Sequence, residues 1–114
     1  MNHLHMPGRE IPVLGEYDVI VMGGGTAGAF AGIAASRRGS RTLIIGQFGA
    51  LGGSATLGLV LPLMSTHMPN YRGHCPLSAE LVERLRAVGG VEDDDYYFDT
   101  AMMKVVLEDM AVES

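Results

Sequence analysis

The sequence predicts an α/β fold with a parallel sheet, and three observations carry this prediction. A strand is predicted at 17–22 from the β-branched apolar run at 19–21, a glycine-rich turn and an alanine-rich segment follow it, and a second β-branched strand is predicted at 42–45. Strand, turn, helix and strand in this order, within about thirty residues, form a βαβ unit with a right-handed crossover. We therefore predict one domain over residues 17–114, preceded by an N-terminal extension over residues 1–16.

The composition is that of a globular protein and excludes several classes of function. Apolar residues make up 47% of the chain and charged residues 18%, which are ordinary values. The net charge of −5 argues against a nucleic-acid partner, because phosphate-binding surfaces need clustered Lys and Arg. Cys75 is the single cysteine, which excludes an intrachain disulfide, and the N-terminus does not resemble a secretory signal. We therefore expect a cytoplasmic protein.

The first strand and the first helix are predicted from local composition. Residues 19–21 are continuously apolar, which is typical of a buried parallel strand with helices on both faces. The segment 26–38 is rich in alanine and predicts a helix that stops at Gly39. Arg37 lies near the end of this segment, where the helix dipole favours a cation.

The second half of the chain predicts two further helices. Prolines make 66–76 an irregular connection, after which Ser78 is predicted to cap a helix that ends before a glycine pair. The apolar face of this helix is predicted to comprise Leu81, Val82, Leu85 and Val88. The acidic segment 92–95 predicts a solvated loop, and Asp99 or Thr100 is predicted to cap the last helix.

A glycine motif stands between the first strand and the first helix. Gly23, Gly25 and Gly28 have the spacing GxGxxG. The first glycine permits a tight turn, the second lets a diphosphate approach the backbone, and the third lets the helix pack close to the strand. The motif predicts a dinucleotide-binding site at the helix N-terminus, and a glycine turn without a ligand is the alternative. The residues predicted to contact the cofactor here are Gly23, Gly24, Gly25, Thr26, Ala27 and Gly28.

Three segments carry a resemblance to a known family: DVIVMGGGTAGAFAGIAASRRG, LIIGQFGALGGSATLGLVLP and FDTAMMKVVLEDM. They resemble the N-terminal part of the FAD-dependent oxidoreductases related to the heterodisulfide reductase A subunit, over residues 17 to about 110. The resemblance implies a Rossmann-like fold that binds FAD and exchanges hydride or electrons with a small-molecule substrate or an electron-transfer protein. Members of that family are several times longer, which implies a fold truncated at its C-terminal side and inactive by itself.

The same resemblance assigns a role to the loop after the second strand. The segment LGGSAT at 51–56 matches a family segment that lies along the flavin side of the cofactor. It implies that N–H and hydroxyl groups of this loop contact phosphate or ribityl oxygens, whereas the alternative is an ordinary flexible loop. The residues so assigned are Gly52, Gly53, Ser54 and Thr56.

The sequence departs from the usual dinucleotide pattern at the end of the second strand. An Asp or Glu normally lies there and accepts hydrogen bonds from the adenosine ribose. Gly46 and Gln47 occupy this part of the predicted cofactor site, and no carboxylate lies between Asp18 and Glu80. A lost charge-assisted hydrogen bond of about 1.5–3 kcal/mol predicts cofactor binding weakened about ten- to a hundredfold. Gln47 is a neutral substitute acceptor.

The remaining features leave catalysis unassigned and two alternatives open. His67, His74 and Cys75 lack regular ligand spacing, so we predict no metal site. The first alternative is a degenerate, non-enzymatic nucleotide-binding or interaction module. The second is a membrane hairpin over 19–36 and 42–64, which glycines and polar residues in the second run disfavour. A small parallel sheet has exposed edges. We therefore expect that the chain is poorly soluble by itself, that it forms an oligomer, or that a C-terminal region completes the fold.

Overall fold

Two parallel strands bridged by one helix form the centre of the fold. The computed structural model describes residues 7–64 and 75–114. The elements in chain order are strand β1 (Val19–Met22), helix α1 (Thr26–Ser36), strand β2 (Thr42–Ile45), a 3₁₀ turn (Gly53–Ala55), helix α2 (Pro76–Ala87) and helix α3 (Thr100–Val112). The predicted α/β fold and its βαβ unit are confirmed. The irregular connection predicted over 66–76 lies outside the described residues as far as residue 74.

The two strands pair in parallel over their full length. The register runs from Val19 opposite Thr42 to Met22 opposite Ile45. The pairing begins at Asp18, whose side chain accepts a hydrogen bond of 2.8 Å from the Arg41 backbone N–H. The carboxyl ends of both strands therefore lie on the same side of the sheet. The glycine turn follows β1 there, and the glycine-rich loop follows β2.

Helix α1 covers only one face of this sheet. A Cβ built on Gly28 lies 3.4 Å from the Cγ1 atom of Val21, which places Val21 beneath the helix. On the other face, Ile20 and Met22 are 53% and 76% exposed. The prediction of a strand buried on both faces is therefore wrong, because the described residues supply a helical layer on one side alone.

Helix α1 ends where a left-handed glycine follows it. Gly39 has φ +85° and donates its backbone N–H to the Ser36 carbonyl over 2.8 Å, as the predicted helix stop requires. The helix itself ends at Ser36, so Arg37 and Arg38, which are predicted to belong to its last turn, lie just beyond it. From this position the Arg37 side chain reaches across to α2.

The hydrophobic core lies between α1, α2 and α3. Its buried members are Ile33, Leu81, Leu85, Phe98, Met103, Val106, Leu107 and Met110. Three of the four residues predicted for the apolar face of α2 are buried, but Val88 is 49% exposed because it follows the helix end. Ser78 is not the N-cap either, since α2 begins at Pro76. Proline favours the first helical position because its φ is already helical and it has no N–H to satisfy.

Helix α3 begins as predicted. The Asp99 carboxylate accepts hydrogen bonds of 2.7 and 3.0 Å from the backbone N–H groups of Ala101 and Met102. The acidic loop before it is exposed at 92–94, as predicted, whereas Asp95 forms an ion pair with Arg86. The cap satisfies two N–H groups that the helix cannot satisfy itself.

A charge network joins the end of α1 to the other two helices. The Glu80 carboxylate accepts two hydrogen bonds from Arg37, at 2.5 and 2.9 Å, and one from Arg84 at 2.9 Å. Arg84 also pairs with Glu113 over 2.7 Å. The hydrogen bonds from Arg37, its nearby charge and that of Arg84 hold the pKa of Glu80 below its usual range. The network fixes the position of α1 relative to α2 and α3.

Across the two described ranges, no helix is long and apolar enough to cross a membrane. The first segment of the alternative membrane hairpin, 19–36, forms β1, the glycine turn and α1 instead.

Replacing Glu80 by glutamine should lower the free energy of unfolding by about 1 kcal/mol near neutral pH. The reason is that three guanidinium hydrogen bonds lose a charged acceptor. Because the folded pKa of Glu80 is lowered, the difference from the parent is full above about pH 4.3 and shrinks as the pH falls through the folded pKa. Urea denaturation across this range measures it.

Asp109→Asn is the matched control for this measurement. Asp109 is an exposed carboxylate on α3 that forms no ion pair with the rest of the described chain. Equal losses for the two variants would contradict the role of the network.

Candidate functional site

The turn after β1 has the backbone conformation that the first glycine of the motif requires. Gly23 has φ +112°, a left-handed value that side chains with a Cβ rarely adopt. Its N–H donates to the Ile45 carbonyl over 2.7 Å, which extends the strand ladder to the start of the turn. The chain then reverses towards α1 immediately beyond the sheet.

The second glycine of the motif borders open space. Gly25 is the N-cap of α1, and a Cβ built on it meets no heavy atom within 4 Å. In the part of the chain that the structure describes, the backbone N–H groups of Gly25 and Ala27 have no hydrogen-bond acceptor, whereas the bridge between Gly25 and Gly52 directs the Thr26 N–H towards the Gly52 carbonyl. Unpaired N–H groups at a helix N-terminus attract an anion, and the first turn of α1 carries no acidic residue to oppose one.

The third glycine allows α1 to approach the turn. A Cβ built on Gly28 would lie 1.8 Å from the Gly23 carbonyl oxygen, a distance that no side chain can occupy. One turn further along the helix, a Cβ on Gly32 would lie 2.4 Å from Ile44 Cδ1. Both glycines therefore serve helix packing, whereas the space at Gly25 remains accessible from outside.

The loop 51–56 docks directly on the glycine turn. Gly52 forms a parallel bridge with Gly25, and its N–H donates to the Gly24 carbonyl over 2.9 Å. The Thr26 hydroxyl donates to the Gly52 carbonyl over 2.8 Å. A Cβ on Gly53 would lie 2.9 Å from the Gly25 Cα, so this contact also requires glycine. The structure thus brings together the two segments that the sequence assigns to the cofactor.

The polar groups of this loop divide into internal and accessible ones. Thr56 is fully buried, and its hydroxyl donates to the Leu51 carbonyl over 2.7 Å, so this hydroxyl shapes the loop. The Gly52 N–H is likewise used internally. Ser54 is exposed, and among the described residues the N–H groups of Gly53 and Ser54 have no acceptor. Accessible donors of the loop are therefore at Gly53 and Ser54.

At the end of β2 there is room for a side chain at Gly46. Gly46 and Gln47 are exposed, and a Cβ on Gly46 would have its nearest contact at 3.6 Å, to the Phe48 carbonyl oxygen. The same Cβ would lie 3.7 Å from the Gly24 Cα, which places the strand end next to the glycine turn. Steric conflict therefore does not explain the missing carboxylate.

A cleft opens at this strand end, and its lining includes an acidic residue, Glu108, that the sequence analysis does not predict. The cleft has a volume of about 310 Å³, and its lining includes Ile44, Gly46, Phe48, Leu51, Glu108 and Val112. Glu108 belongs to α3 and comes late in the chain, so no local signal in the sequence relates it to β2. The tertiary structure places Glu108 in the lining of the same cleft as Gly46.

Two further regions contain none of the predicted cofactor residues. A larger cleft of about 520 Å³ is lined by Leu61, 89–92 and 97–99, away from the glycine turn. His67 and His74 lie outside the described residues, and Cys75 is exposed at the start of α2. No group of three His, Cys, Asp or Glu that could hold a metal ion occurs in residues 7–64 and 75–114.

Comparison with known protein families places nearly the whole chain within one family model. The model described as FAD dependent oxidoreductase matches residues 18–114, which includes every element of the fold. No solved structure matches the chain.

Alanine substitutions at Gly28 and at Gly25 should have very different effects on stability. Gly28→Ala is expected to lower the free energy of unfolding by at least about 2 kcal/mol, because α1 must move away from the Gly23 carbonyl. Gly25→Ala enters open space and should cost less than about 1 kcal/mol, the scale of a changed helix N-cap. Urea denaturation followed by circular dichroism compares them, and equal losses would contradict the assignment of separate roles.

Proposed function

The chain belongs to the FAD dependent oxidoreductase family, whose members bind FAD, and we propose that its glycine turn holds the FAD diphosphate. The observation that carries this proposal is the open space at Gly25, bordered by the N–H groups of Gly25 and Ala27, which have no acceptor among the described residues. A Cβ would fill this space, and a phosphate oxygen could use these N–H groups. The residues therefore fit a diphosphate.

The loop 51–56 forms the second part of the proposed site. We assign the N–H groups of Gly53 and Ser54, and the Ser54 hydroxyl, to phosphate or ribityl oxygens. The bridge between Gly52 and Gly25 supports this assignment, because it places the loop beside the turn. Thr56 and Gly52 act indirectly, since their hydrogen bonds hold the loop in shape. Gly46 and Gln47 lie at the adenosine side of the site.

Bound FAD supplies hydride or electron transfer, and the protein supplies binding and orientation. We propose that this chain is the FAD-binding portion of an oxidoreductase and that it does not turn over by itself. The exposed sheet face formed by Ile20, Met22 and Ile45 supports this, because a further layer or partner is needed to cover it. The redox partner is a small molecule or an electron-transfer protein.

The finer family relation and the cellular location are also proposals. The segments at 18–39, 43–62 and 98–110 support a relation to the heterodisulfide reductase A subunit, because they carry the resemblance. The single cysteine supports a cytoplasmic location, since disulfide frameworks are typical of oxidising compartments.

A non-enzymatic nucleotide-binding module is the second candidate. The glycine at position 46 supports this candidate, because a chain without the usual ribose carboxylate has lost part of its cofactor affinity. Flavin absorbance of the purified protein, followed by its loss on reduction with a candidate donor, separates the two. A nucleotide-bound protein without flavin would favour the module.

Gly25→Ala should abolish FAD and ADP binding while leaving the fold intact. The added methyl group occupies the space that we assign to the diphosphate, and it meets no heavy atom within 4 Å beyond its own residue and its two chain neighbours. Isothermal titration calorimetry with ADP and flavin fluorescence with FAD measure the loss, which should be at least about a hundredfold, or about 2.7 kcal/mol.

Gly39→Asn provides the control, because it changes a glycine at the far end of α1 where a Cβ also meets nothing within 4 Å. Asparagine tolerates the left-handed φ of +85° at this position. Unchanged ADP affinity of Gly25→Ala would refute the proposed diphosphate site.

A further inference from the structure

We propose that Glu108 accepts hydrogen bonds from the ribose hydroxyls of the adenosine part of FAD and so replaces the carboxylate that Gly46 lacks. The inference rests on the proposed function, since it concerns the adenosine end of the same site. It assigns ribose recognition to helix α3 instead of the end of β2. Three independent features of the described residues support it.

The first feature is the cleft between β2 and α3. One wall includes Gly46, Phe48 and Leu51, and the other includes Glu108 and Val112. Its volume of about 310 Å³ lies at the lower end of the range of about 300–1,000 Å³ for small-ligand pockets. Phe48 is 67% exposed, which leaves its ring accessible for stacking with a base. A cleft lined by an aromatic residue and an acidic residue suits a nucleoside, which has a flat apolar base and a diol.

The second feature is the continuity of this cleft with the glycine turn. Leu51 lines the cleft, and its Cδ2 atom lies 3.1 Å from a Cβ built on Gly24. The Gly46 Cα lies 3.7 Å from the same point. In a dinucleotide the adenosine ribose is bonded directly to the diphosphate. A nucleoside cleft must therefore adjoin the diphosphate turn, and this one does.

The third feature is that Glu108 is held in position and is available. Its neighbour Leu107 is 1% exposed, and Leu107 Cδ1 lies 2.8 Å from a Cβ built on Gly52. Through this contact α3 packs against the loop 51–56. Glu108 therefore belongs to a helix that is held in position. Among the described residues the Glu108 carboxylate forms no ion pair. The cations that join the helices, Arg37 and Arg84, are occupied by Glu80 and Glu113.

Gln47 is the competing acceptor, and the structure favours Glu108 over it. Gln47 follows Gly46 and is exposed, but it does not line the cleft. Its amide oxygen is also neutral, whereas hydrogen bonds to a charged acceptor are about twice as strong. The experiment therefore includes both residues.

The test compares ADP with 2′,3′-dideoxy-ADP, which keeps the base and diphosphate but lacks both ribose hydroxyls. Isothermal titration calorimetry is performed on the 114-residue chain. Glu108→Gln should weaken ADP binding about ten- to a hundredfold and change dideoxy-ADP binding by less than about twofold. Asp109→Asn, an exposed neighbour that does not line the cleft, should change neither affinity.

A second variant tests the replacement itself. Gly46 has room for a side chain and no left-handed φ, so Gly46→Glu in the Glu108→Gln background should restore most of the ADP affinity. Circular dichroism confirms that each variant is folded.

The outcomes separate this inference from the proposed function. If Glu108→Gln weakens both nucleotides equally or neither, or if only Gln47→Ala produces the selective loss, the role of Glu108 is overturned while the diphosphate site stands. If the unmodified chain binds neither nucleotide, the proposed function is overturned, and the role of Glu108 with it.

Discussion

The position of α1 above the sheet depends on a contact that only glycine permits. At Gly28 the helix approaches the Gly23 carbonyl so closely that a Cβ would lie 1.8 Å from the oxygen. This approach brings the N-terminus of α1 to the end of β1 and leaves the N–H groups of Gly25 and Ala27 facing open space. The diphosphate site that we propose at this turn therefore depends on helix packing, because a helix held further away would open a different turn.

The rest of the site is assembled around that contact by loops that also need glycine. Gly53 lies against Gly25 at a distance that excludes a side chain, and a side chain at Gly52 would meet Thr56 and Leu107. The Thr26 hydroxyl donates one further hydrogen bond to the Gly52 carbonyl. Helix α3 then packs on the loop through Leu107. Packing is continuous from the sheet to α3. A shift of α3 would therefore alter the loop 51–56 and the cleft beside Gly46 together.

Electrostatic interactions secure the opposite end of α1. Arg37 follows the last helical residue and reaches Glu80 on α2, while Arg84 joins Glu80 to Glu113 at the end of α3. These pairs are partly exposed, so each contributes modestly, and their value lies in fixing the relative positions of three helices. These pairs lie at the opposite end of α1 from the glycine turn, where the N–H groups of the helix N-terminus supply positive potential.

The sequence by itself determined what depends on local conformation, and only the tertiary structure decided which residues meet. The two strands, the left-handed glycines after β1 and α1, and the Asp99 cap each follow from the φ/ψ preferences or side chains of neighbouring residues. The tertiary structure exposed Ile20, turned the Thr56 hydroxyl inward and placed Glu108 in the same cleft as Gly46. These outcomes depend on contacts between residues far apart in the chain, and a single sequence contains no periodicity or motif that reports such contacts. The glycine turn could therefore be predicted from its own residues, whereas the proposed ribose acceptor could not, because it is supplied by a helix far along the chain from β2.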